Sequence, residues 1–391
     1  MAKFLARATI KHDLCPEIAS EEGKFRMLGF YSKNREEWAV TDIACVLNSI
    51  VSVPLYDTLG DSSVEYIIGQ TEITTIVLGQ DKIDNICKLK IEGKLNSIEN
   101  IICFDHLGEE QTNKVKDAGL KLFNYEHLIS EGKDDKSKLK KPDQDDIFTI
   151  CYTSGTTGDP KGVMSTHLNY ASVIGGLIKA GFAVQDNDTH YSYLPLAHVF
   201  ERGAHWLMLA SGARIGYYTG DITKIKEDLA ELKPTIFASV PRLLNRFYDL
   251  MQDGINKQTG FKKTLITKGI KAKMSNLEKN GSVNSTIYDP LVFKKFKSVL
   301  GGRVRLIVTG SAPISKEVLS FLKIAFSCKV FEAYGQTETT AGFTITNPRD
   351  GTAGHVGGVM PHNELKLIDV PEMDYFSNHK EGDVLKPRGE I

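Results

Sequence analysis

The chain has 391 residues, so two or three structural lobes are expected. Its 48 basic and 49 acidic side chains leave a net charge of −1, which argues against nucleic acid as a partner. No apolar run reaches the roughly 18 residues that a membrane-spanning helix needs. None of the six cysteines forms a C-x-x-C pair, which favours reduced thiols in an intracellular protein over zinc sites.

The first part of the chain alternates short apolar runs with longer amphipathic segments. Four of the apolar runs predict strands: FRMLGFYS (25–32), VSVPLY (51–56), TTIVLG (74–79) and ENIICF (99–104). Strands that alternate with helices predict parallel pairing, in an α/β sheet that helices cover on both faces. Asn34 is expected to cap the first of these helices, with Glu37 as its capping-box partner.

Composition divides the rest of the chain. Residues 131–146 are almost all charged or turn-forming and predict a solvated linker. The strand–helix alternation resumes at IFTICYTSG (147–155) and continues to about residue 340. Beyond Gly351, short runs between Gly and Pro turns predict the start of an antiparallel sheet or distorted β-barrel, which breaks off at PRGEI. The expected divisions are therefore 1–146, 147–345 and 346–391.

The stretch from 242 to 300 is polar and mostly helical in pattern. It holds ten lysines between residues 257 and 297. A solvated helical face is the first interpretation of these lysines, and contact with anionic lipid headgroups is the alternative. The sequence thus leaves open a peripheral contact with a membrane.

The segment that carries the chemistry is YTSGTTGDPKG, residues 152–162. It follows an apolar strand and combines three glycines, four serine or threonine hydroxyls and Lys161. Glycines let backbone N–H groups approach an anion closely, hydroxyls add donors, and the lysine supplies a positive charge. We therefore predict a phosphate-binding loop rather than an ordinary strand–helix turn. A Walker loop is excluded, because it would need glycine at Pro160 and a hydroxyl residue at Gly162.

This segment resembles the phosphate loop of the acyl-adenylate-forming superfamily, which includes acyl-CoA synthetases, luciferases and peptide-synthetase adenylation domains. Four further blocks follow in family order: YLPLAHVFER (193–202), VTGSAP (308–313), FEAYGQTETT (331–340) and KPRGEI (386–391). Other segments resemble long-chain fatty acyl-CoA synthetases in particular: YSKNREEW (31–38), VPLYDTLG (53–60), residues 221–246 and ELKLIDVPEM (364–373). The resemblance covers about residues 25–391.

The fold implied by this resemblance is the large N-terminal domain of an adenylate-forming enzyme, with stacked βα subdomains and the start of a distorted β-barrel. The implied activity is that of a long-chain fatty acid–CoA ligase. Such an enzyme uses ATP and Mg²⁺ to convert a fatty acid to an acyl-adenylate, and then transfers the acyl group to CoA. The implied location is the cytoplasm, or the surface of the endoplasmic reticulum or another organelle membrane.

The resemblance also assigns roles to individual residues. Lys161 and the loop hold the β- and γ-phosphates, the loop residues being Thr153, Ser154, Gly155, Thr156, Thr157 and Gly158. Glu338 is the carboxylate ligand of Mg²⁺, and Thr153 adds a hydroxyl ligand. His198 borders the acyl carboxylate and helps to orient it.

The adenine site is implied in the same way. Two segments enclose the base, namely Gly310, Ser311 and Ala312 on one side and Glu332, Ala333 and Tyr334 on the other, with Gly335 and Gln336 in the same block. Tyr334 stacks on the base, and Thr337 lies near the α-phosphate.

Two parts of the family pattern would follow the PRGE block: the T-G-D aspartate that binds the ribose, and a small mobile domain with a catalytic lysine. The chain ends at Ile391, so we expect a fragment without that small domain and shortened at the N-terminus. The sequence Thr219-Gly220-Asp221 imitates the ribose motif but precedes the YGQTE block, so Asp221 is expected to cap a helix. The alternatives are a non-catalytic nucleotide- or acyl-binding relative and an adenylating enzyme for another acid.

Overall fold

The fold was analysed in a computed structural model that describes residues 1–57, 59–153, 159–347 and 350–391. The α-helices in these ranges are α1 (Ala2–Lys11), α2 (Glu36–Leu47), α3 (Asp61–Thr71), α4 (Ile83–Ile91), α5 (Glu109–Asp117), α6 (Tyr125–Asp134), α7 (His167–Lys179), α8 (Val199–Ala210), α9 (Ile225–Leu232), α10 (Pro241–Asn256), α11 (Gly260–Asn280), α12 (Lys294–Lys297) and α13 (Lys316–Phe326).

The strands in the same ranges are β1 (Glu17–Ser20), β2 (Gly23–Tyr31), β3 (Val51–Pro54), β4 (Thr75–Leu78), β5 (Asn100–Cys103), β6 (Lys121–Asn124), β7 (Ile147–Thr153), β8 (Lys161–Thr166), β9 (Thr189–Ser192), β10 (Arg214–Tyr217), β11 (Ile236–Ser239), β12 (Leu306–Thr309), β13 (Lys329–Tyr334), β14 (Thr344–Ile345), β15 (Gly358–Val359), β16 (Lys380–Glu381) and β17 (Val384–Leu385).

The first sheet has the strand order β6-β5-β4-β2-β3-β7-β8, and β1 pairs with β2. Its strands are parallel except for the antiparallel pairs β1–β2 and β7–β8. Side chains of β2 alternate between two cores, because successive residues of a strand face opposite sides of the sheet. Met27 and Tyr31 pack with residues of α3 and α4, and Leu28 and Phe30 pack with residues of α1 and α2. The predicted parallel α/β sheet with two covered faces is therefore confirmed.

The second sheet has the order β10-β9-β11-β12-β13-β14-β15. The strands from β10 to β13 are parallel, and β14 and β15 add antiparallel strands at the edge. One core cluster joins this sheet to helices including α10 and α13. The loops after β12 and β13 leave the carboxyl edge of the sheet, where open α/β folds bind ligands.

Residues 350–391 carry only short strands. β15 extends the second sheet, and β16 and β17 form a separate antiparallel pair. The antiparallel pairing predicted for this region is present. Within the ranges that the structure describes, these strands close no barrel.

The segment 131–146 differs from the prediction at its start. α6 continues to Asp134, and Gly132 lies so close to α1 that a Cβ there would overlap the carbonyl oxygen of Phe4. Further along, Asn48 accepts a hydrogen bond from the Lys140 backbone N–H (3.2 Å), and Ser49 donates one to Asp146 (2.8 Å). The charged segment is therefore partly docked on α1 and on the turn between α2 and β3.

The capping prediction for Asn34 is wrong. α2 begins at Glu36, and its N-cap residue makes no side-chain cap. The Asn34 amide instead donates to Ser192 Oγ (2.9 Å) and to the Leu194 carbonyl (2.7 Å), and its oxygen accepts from the Leu196 N–H (2.9 Å). Asn34 thus fastens the first sheet to the chain that follows β9. The capping prediction for Asp221 is confirmed, because its carboxylate accepts from the Thr223 N–H (2.9 Å).

A buried ion pair forms a second link between the two sheets. Arg202 of α8 donates to Asp42 of α2 (2.6 Å) and to Ser52 of β3 (2.6 Å), and both charged side chains are inaccessible to water. Trp206 also donates to Asp42, over 3.0 Å. The guanidinium carbon lies 5.1 Å from the ring centroid of Trp38, which adds a cation–π contact.

We predict that Asp42→Ala will lower the free energy of unfolding by about 3–5 kcal/mol, because it leaves the Arg202 charge buried and unpaired. Urea unfolding followed by far-UV circular dichroism measures the effect. The matched control is Asp61→Ala, which removes an exposed pair with Lys88 and should lower the free energy of unfolding far less, because exposed ion pairs contribute little to stability. Equal costs for the two substitutions would contradict the structural role of the buried pair.

Candidate active site

A cleft of about 380 Å³ lies at the carboxyl ends of β12 and β13. It brings together most of the predicted site residues, namely Thr153, Lys161, His198, Gly310, Ser311, Ala333, Tyr334, Gly335, Gln336, Thr337 and Glu338. Ala312 and Glu332 do not line it. The predicted loop residues Ser154, Gly155, Thr156, Thr157 and Gly158 lie outside the described residues.

Thr153 and Lys161 enter the cleft from one rung of an antiparallel ladder. They are the last residue of β7 and the first residue of β8, and they pair directly with each other. Side chains of directly opposed residues lie on the same face of a sheet, with Cβ atoms about 5 Å apart. The strand pairing therefore places the Thr153 and Lys161 side chains on the same face of the ladder.

Two glycines allow the loops at the carboxyl edge to approach each other. A Cβ at Gly335 would overlap the carbonyl oxygen of Ala341, and a Cβ at Gly310 would lie 2.9 Å from the carbonyl oxygen of Ala333. Both positions therefore require a residue without a side chain. Ser311 follows with φ of +68°, a left-handed conformation that reverses the chain after β12.

Hydrogen bonds fix the turn that carries Tyr334, Thr337 and Glu338. The Gln336 side-chain amide donates to the Tyr334 hydroxyl (2.6 Å), and the Gln336 backbone N–H donates to Thr339 Oγ1 (3.0 Å). Phe343 packs edge-on against the Tyr334 ring, with ring centroids 6.2 Å apart. The turn thus holds an aromatic ring and the Glu338 carboxylate at the same cleft.

His198 is the N-cap residue of α8, and its Nδ1 accepts a hydrogen bond from the Phe200 N–H (3.1 Å). Burial lowers the pKa of the imidazole below its usual value. The ring is therefore neutral at neutral pH, and because Nδ1 accepts, its proton is on Nε2. The ring of Tyr56 packs edge-on against it at 6.4 Å. His198 can thus donate one hydrogen bond but carries no charge.

Glu332 occupies a different environment from its neighbours in the block. Its side chain is buried away from the cleft, and one carboxylate oxygen has no hydrogen-bond partner. Burial raises the pKa of this carboxyl, and the charges of Lys323 and His355 oppose the rise. The cleft wall is therefore formed by Ala333 and Tyr334 rather than by the Glu332 side chain.

An apolar cavity of about 70 Å³ adjoins the cleft. The cleft and the cavity share Phe200, Ala333 and Ala341 as lining residues. The other lining residues are Val173, Leu177, Phe182, Gly203, Ala204, Leu207, Met208, Ile236, Ala238, Val308, Gly342, Ile345 and Met360. For Phe200 the sequence favours helical packing and leaves an acyl tunnel as the alternative. The small pair Gly203-Ala204 in the same helix is a further signal of the cavity.

The titratable groups of the described ranges include no cluster of three or more His, Cys, Asp or Glu side chains that could hold a metal ion. Glu338 and Thr153 nevertheless line the same cleft. A carboxylate and a hydroxyl are hard oxygen donors, which suit a cation that takes most of its ligands from phosphates and water.

Comparison with known proteins identifies the fold and the family. A family model described as AMP-binding enzyme matches residues 23–387. Long-chain-fatty-acid–CoA ligase 1 of Cavia porcellus is 41% identical over 363 residues, which are 92% of this chain and 52% of that protein. Long-chain-fatty-acid–CoA ligase 5 of Rattus norvegicus is 40% identical over 364 residues, 92% of this chain and 53% of that protein. The chain spans about half the length of the curated relatives it matches.

Solved structures agree in fold at much lower identity. The adenylation domain of a carboxylate reductase from Mycobacterium chelonae superposes with a TM-score of 0.76 at 21% identity, covering 100% of this chain and 56% of that one. The corresponding domain from Segniliparus rugosus, solved with AMP and a co-purified carboxylic acid, gives 0.71 at 22% identity, with 100% and 58% covered. Because the family match runs through nearly the whole chain, from the first strands to the final turns, the chain belongs to the AMP-binding enzyme family.

Proposed function

We propose that this chain is the part of a long-chain fatty acid–CoA ligase that binds ATP and a fatty acid and joins them as an acyl-adenylate. The observation that carries the proposal is the contact between a polar cleft and an apolar cavity. Phe200, Ala333 and Ala341 belong to both, so a ligand could place a phosphate in one and an alkyl chain in the other. An acyl-adenylate has this combination of groups.

Adenylate formation joins a carboxylate oxygen to the α-phosphorus of ATP, and the bond to pyrophosphate breaks. Negative charge builds on the phosphoryl oxygens and on the departing group, so positioned donors and cations lower the barrier. Lys161 and Thr153, opposed on one ladder rung, are suited to hold the β- and γ-phosphates. The loop residues 154–158 are assigned to the same task.

Magnesium fits the donor set of the cleft. Glu338 and Thr153 would hold the ion, and phosphate oxygens and water would supply its other ligands. When bound, Mg²⁺ neutralises phosphate charge during transfer. Thr337 follows Gln336 in the hydrogen-bonded turn and is assigned to the α-phosphate.

His198 is proposed to orient the fatty acid carboxylate. A carboxylic acid is ionised at neutral pH and needs no base to attack, so a neutral ring that donates one hydrogen bond is sufficient. The proton on Nε2 is available for this bond, because Nδ1 is engaged by the Phe200 N–H. The acyl chain would then pass Phe200 into the apolar cavity.

The adenine base is proposed to lie between the Gly310–Ser311 turn and the Ala333–Tyr334 segment. Both segments line the cleft, and the Tyr334 ring is fixed by Gln336 and Phe343. A flat, immobilised ring is suited to stacking on a base.

An acyl chain would need more room than the apolar cavity offers in its present shape. Met208 and Met360 line it, and their flexible side chains adapt readily to a new neighbour. We propose that they move aside when the chain enters. Transfer of the acyl group to CoA completes the reaction proposed for the whole protein. Because fatty acids partition into bilayers, we propose that the protein acts at a membrane surface.

The role of Lys161 can be tested by comparing how one substitution changes the affinities for two ligands. Lys161→Ala should weaken ATP binding about 10–100-fold, since one charge-assisted contact to phosphate is lost. It should leave the affinity for palmitoyl-sulfamoyl adenosine, a stable acyl-adenylate analogue without β- and γ-phosphates, within about twofold of the parent. Calorimetry measures both affinities, and Lys179→Ala, an exposed lysine at the end of α7, is the control. An equal loss for both ligands would contradict the assignment.

The acyl site can be tested by filling the cavity. Ala204→Leu should weaken binding of the palmitoyl analogue about tenfold and leave the octanoyl analogue unaffected, because each methylene kept in water costs about 0.8 kcal/mol. Ala210→Leu, at the exposed end of the same helix, is the matched control and should change neither affinity. Unchanged binding of the palmitoyl analogue by a folded Ala204→Leu variant would place the acyl chain outside the apolar cavity.

A further inference from the structure

A second groove lies away from the adenylate cleft, between α10, α11 and the segment 291–299. It has a volume of about 280 Å³ and is lined mainly by apolar side chains, with Lys262 and Lys295 also in its wall. Two of the apolar residues are unusually exposed, Leu291 at 64% and Leu250 at 43%. None of the lining residues of this groove lines the cleft or the apolar cavity of the proposed active site.

The charge around this groove is strongly one-sided. Residues 260–297 contain nine lysines and two acidic residues, a formal charge of +7, whereas the net charge of the whole chain is −1. Among the described residues, no salt bridge engages Lys262, Lys263, Lys268, Lys271, Lys294 or Lys295. The exposed carboxylates of α10, Asp249 and Asp253, offset only part of this charge.

The two acidic residues within 260–297 differ in how far they can offset the charge of the exposed lysines. Asp289 is committed to Lys273, whose side chain is buried and also donates to Ser327 Oγ (2.7 Å). The Lys273 ammonium lies 4.0 Å from the ring centroid of Phe293. This buried contact ties α11 to the turn before α12 and holds the helices that carry the exposed lysines. Glu278 is then the one other carboxylate within 260–297.

An exposed aromatic residue accompanies the lysines. Phe261 is 83% exposed and directly precedes Lys262, which lines the groove. A purely solvated helical face has no need of a large exposed aromatic ring, since burying such a ring is favourable. Basic side chains next to exposed apolar ones are typical of surfaces that lie in the headgroup region of a bilayer.

We propose that this groove and its lysines form a docking surface for a membrane that contains anionic phospholipid. The lysines would attract the headgroups, and Phe261, Leu250 and Leu291 would enter the interface. In the described ranges no helix has the length and apolarity needed to cross a bilayer. The proposed contact is made by the exposed side chains of this surface. This inference extends the proposed work at a membrane surface, but vesicle binding requires neither ATP nor an intact adenylate cleft.

The test is sedimentation of the protein with vesicles in the absence of nucleotide. Binding should be strong to vesicles of phosphatidylcholine with phosphatidylserine, weak to phosphatidylcholine alone, and reduced by added salt. Because each lysine near an anionic surface adds to the attraction, Lys262→Glu with Lys263→Glu should weaken partitioning at least about tenfold. Phe261→Ser should weaken it further at high salt, where the apolar contribution dominates.

The matched control is Lys136→Glu with Lys138→Glu, which makes the same change in net charge at two exposed lysines after α6. This control should bind vesicles like the parent. Thermal unfolding of each variant verifies that the fold is retained. Equal loss in the control pair, equal binding to neutral vesicles, or no binding to anionic vesicles would overturn the proposal. A variant that still sediments with anionic vesicles but no longer binds the acyl-adenylate analogue would contradict the proposed function and leave the docking surface supported.

Discussion

The arrangement of the cleft depends on a carboxylate and a guanidinium that have both been removed from water. Asp42 belongs to α2 on the first sheet, and Arg202 belongs to α8 beside the second. In the preceding position Glu201, also fully buried, accepts a hydrogen bond from His190 of β9 over 2.9 Å. The first turn of α8 is therefore held from two directions. Because leaving either charge unpaired is costly, the pair opposes displacement of this turn.

This constraint reaches the active site through the helix that it fixes. His198 caps α8, and the backbone carbonyl of His198 accepts from the Arg202 N–H (3.0 Å), so His198 and Arg202 lie at the two ends of the first turn of this helix. Phe200, between them, lines both the cleft and the apolar cavity. The meeting point of the proposed nucleotide and acyl sites thus lies on the same turn as the buried ion pair. On the opposite wall of the cleft, Gly310 and Gly335 allow backbone segments to approach each other closely.

The elements that the sequence predicted well are those whose signal is local. The alternation of strands with helices indicates the two covered faces of the first sheet, and Thr153 and Lys161 belong to one contiguous motif. For Trp206, at helical spacing after His198, the sequence favours helix packing, and the ring packs edge-on against Phe148 while donating to Asp42. No local pattern indicates that Arg202, four residues before Trp206, is buried, because a charged residue in an amphipathic helix is ordinarily assigned to solvent.

The features that escaped prediction all depend on partners distant in the chain. Asn34 looked like a helix cap because its local context allows that bond, yet its amide binds backbone groups near residue 194, which no local pattern reveals. Lys273 stands among exposed lysines at helical spacing, and only its buried contact with Asp289 distinguishes it. The apolar cavity arises from small residues on separate elements, such as Ala204 of α8 and Ala238 of β11, whose meeting depends on tertiary packing.

We propose that one ligand occupies the polar cleft and the apolar cavity together. A crystal structure of the chain with palmitoyl-sulfamoyl adenosine tests it most directly. We expect the adenine beside Tyr334, the sulfamoyl group near Thr337 and His198, and the alkyl chain passing Phe200 into the cavity beside Ala204. An alkyl chain directed to the surface or to the groove beside Lys262, with the cavity unchanged, would contradict it.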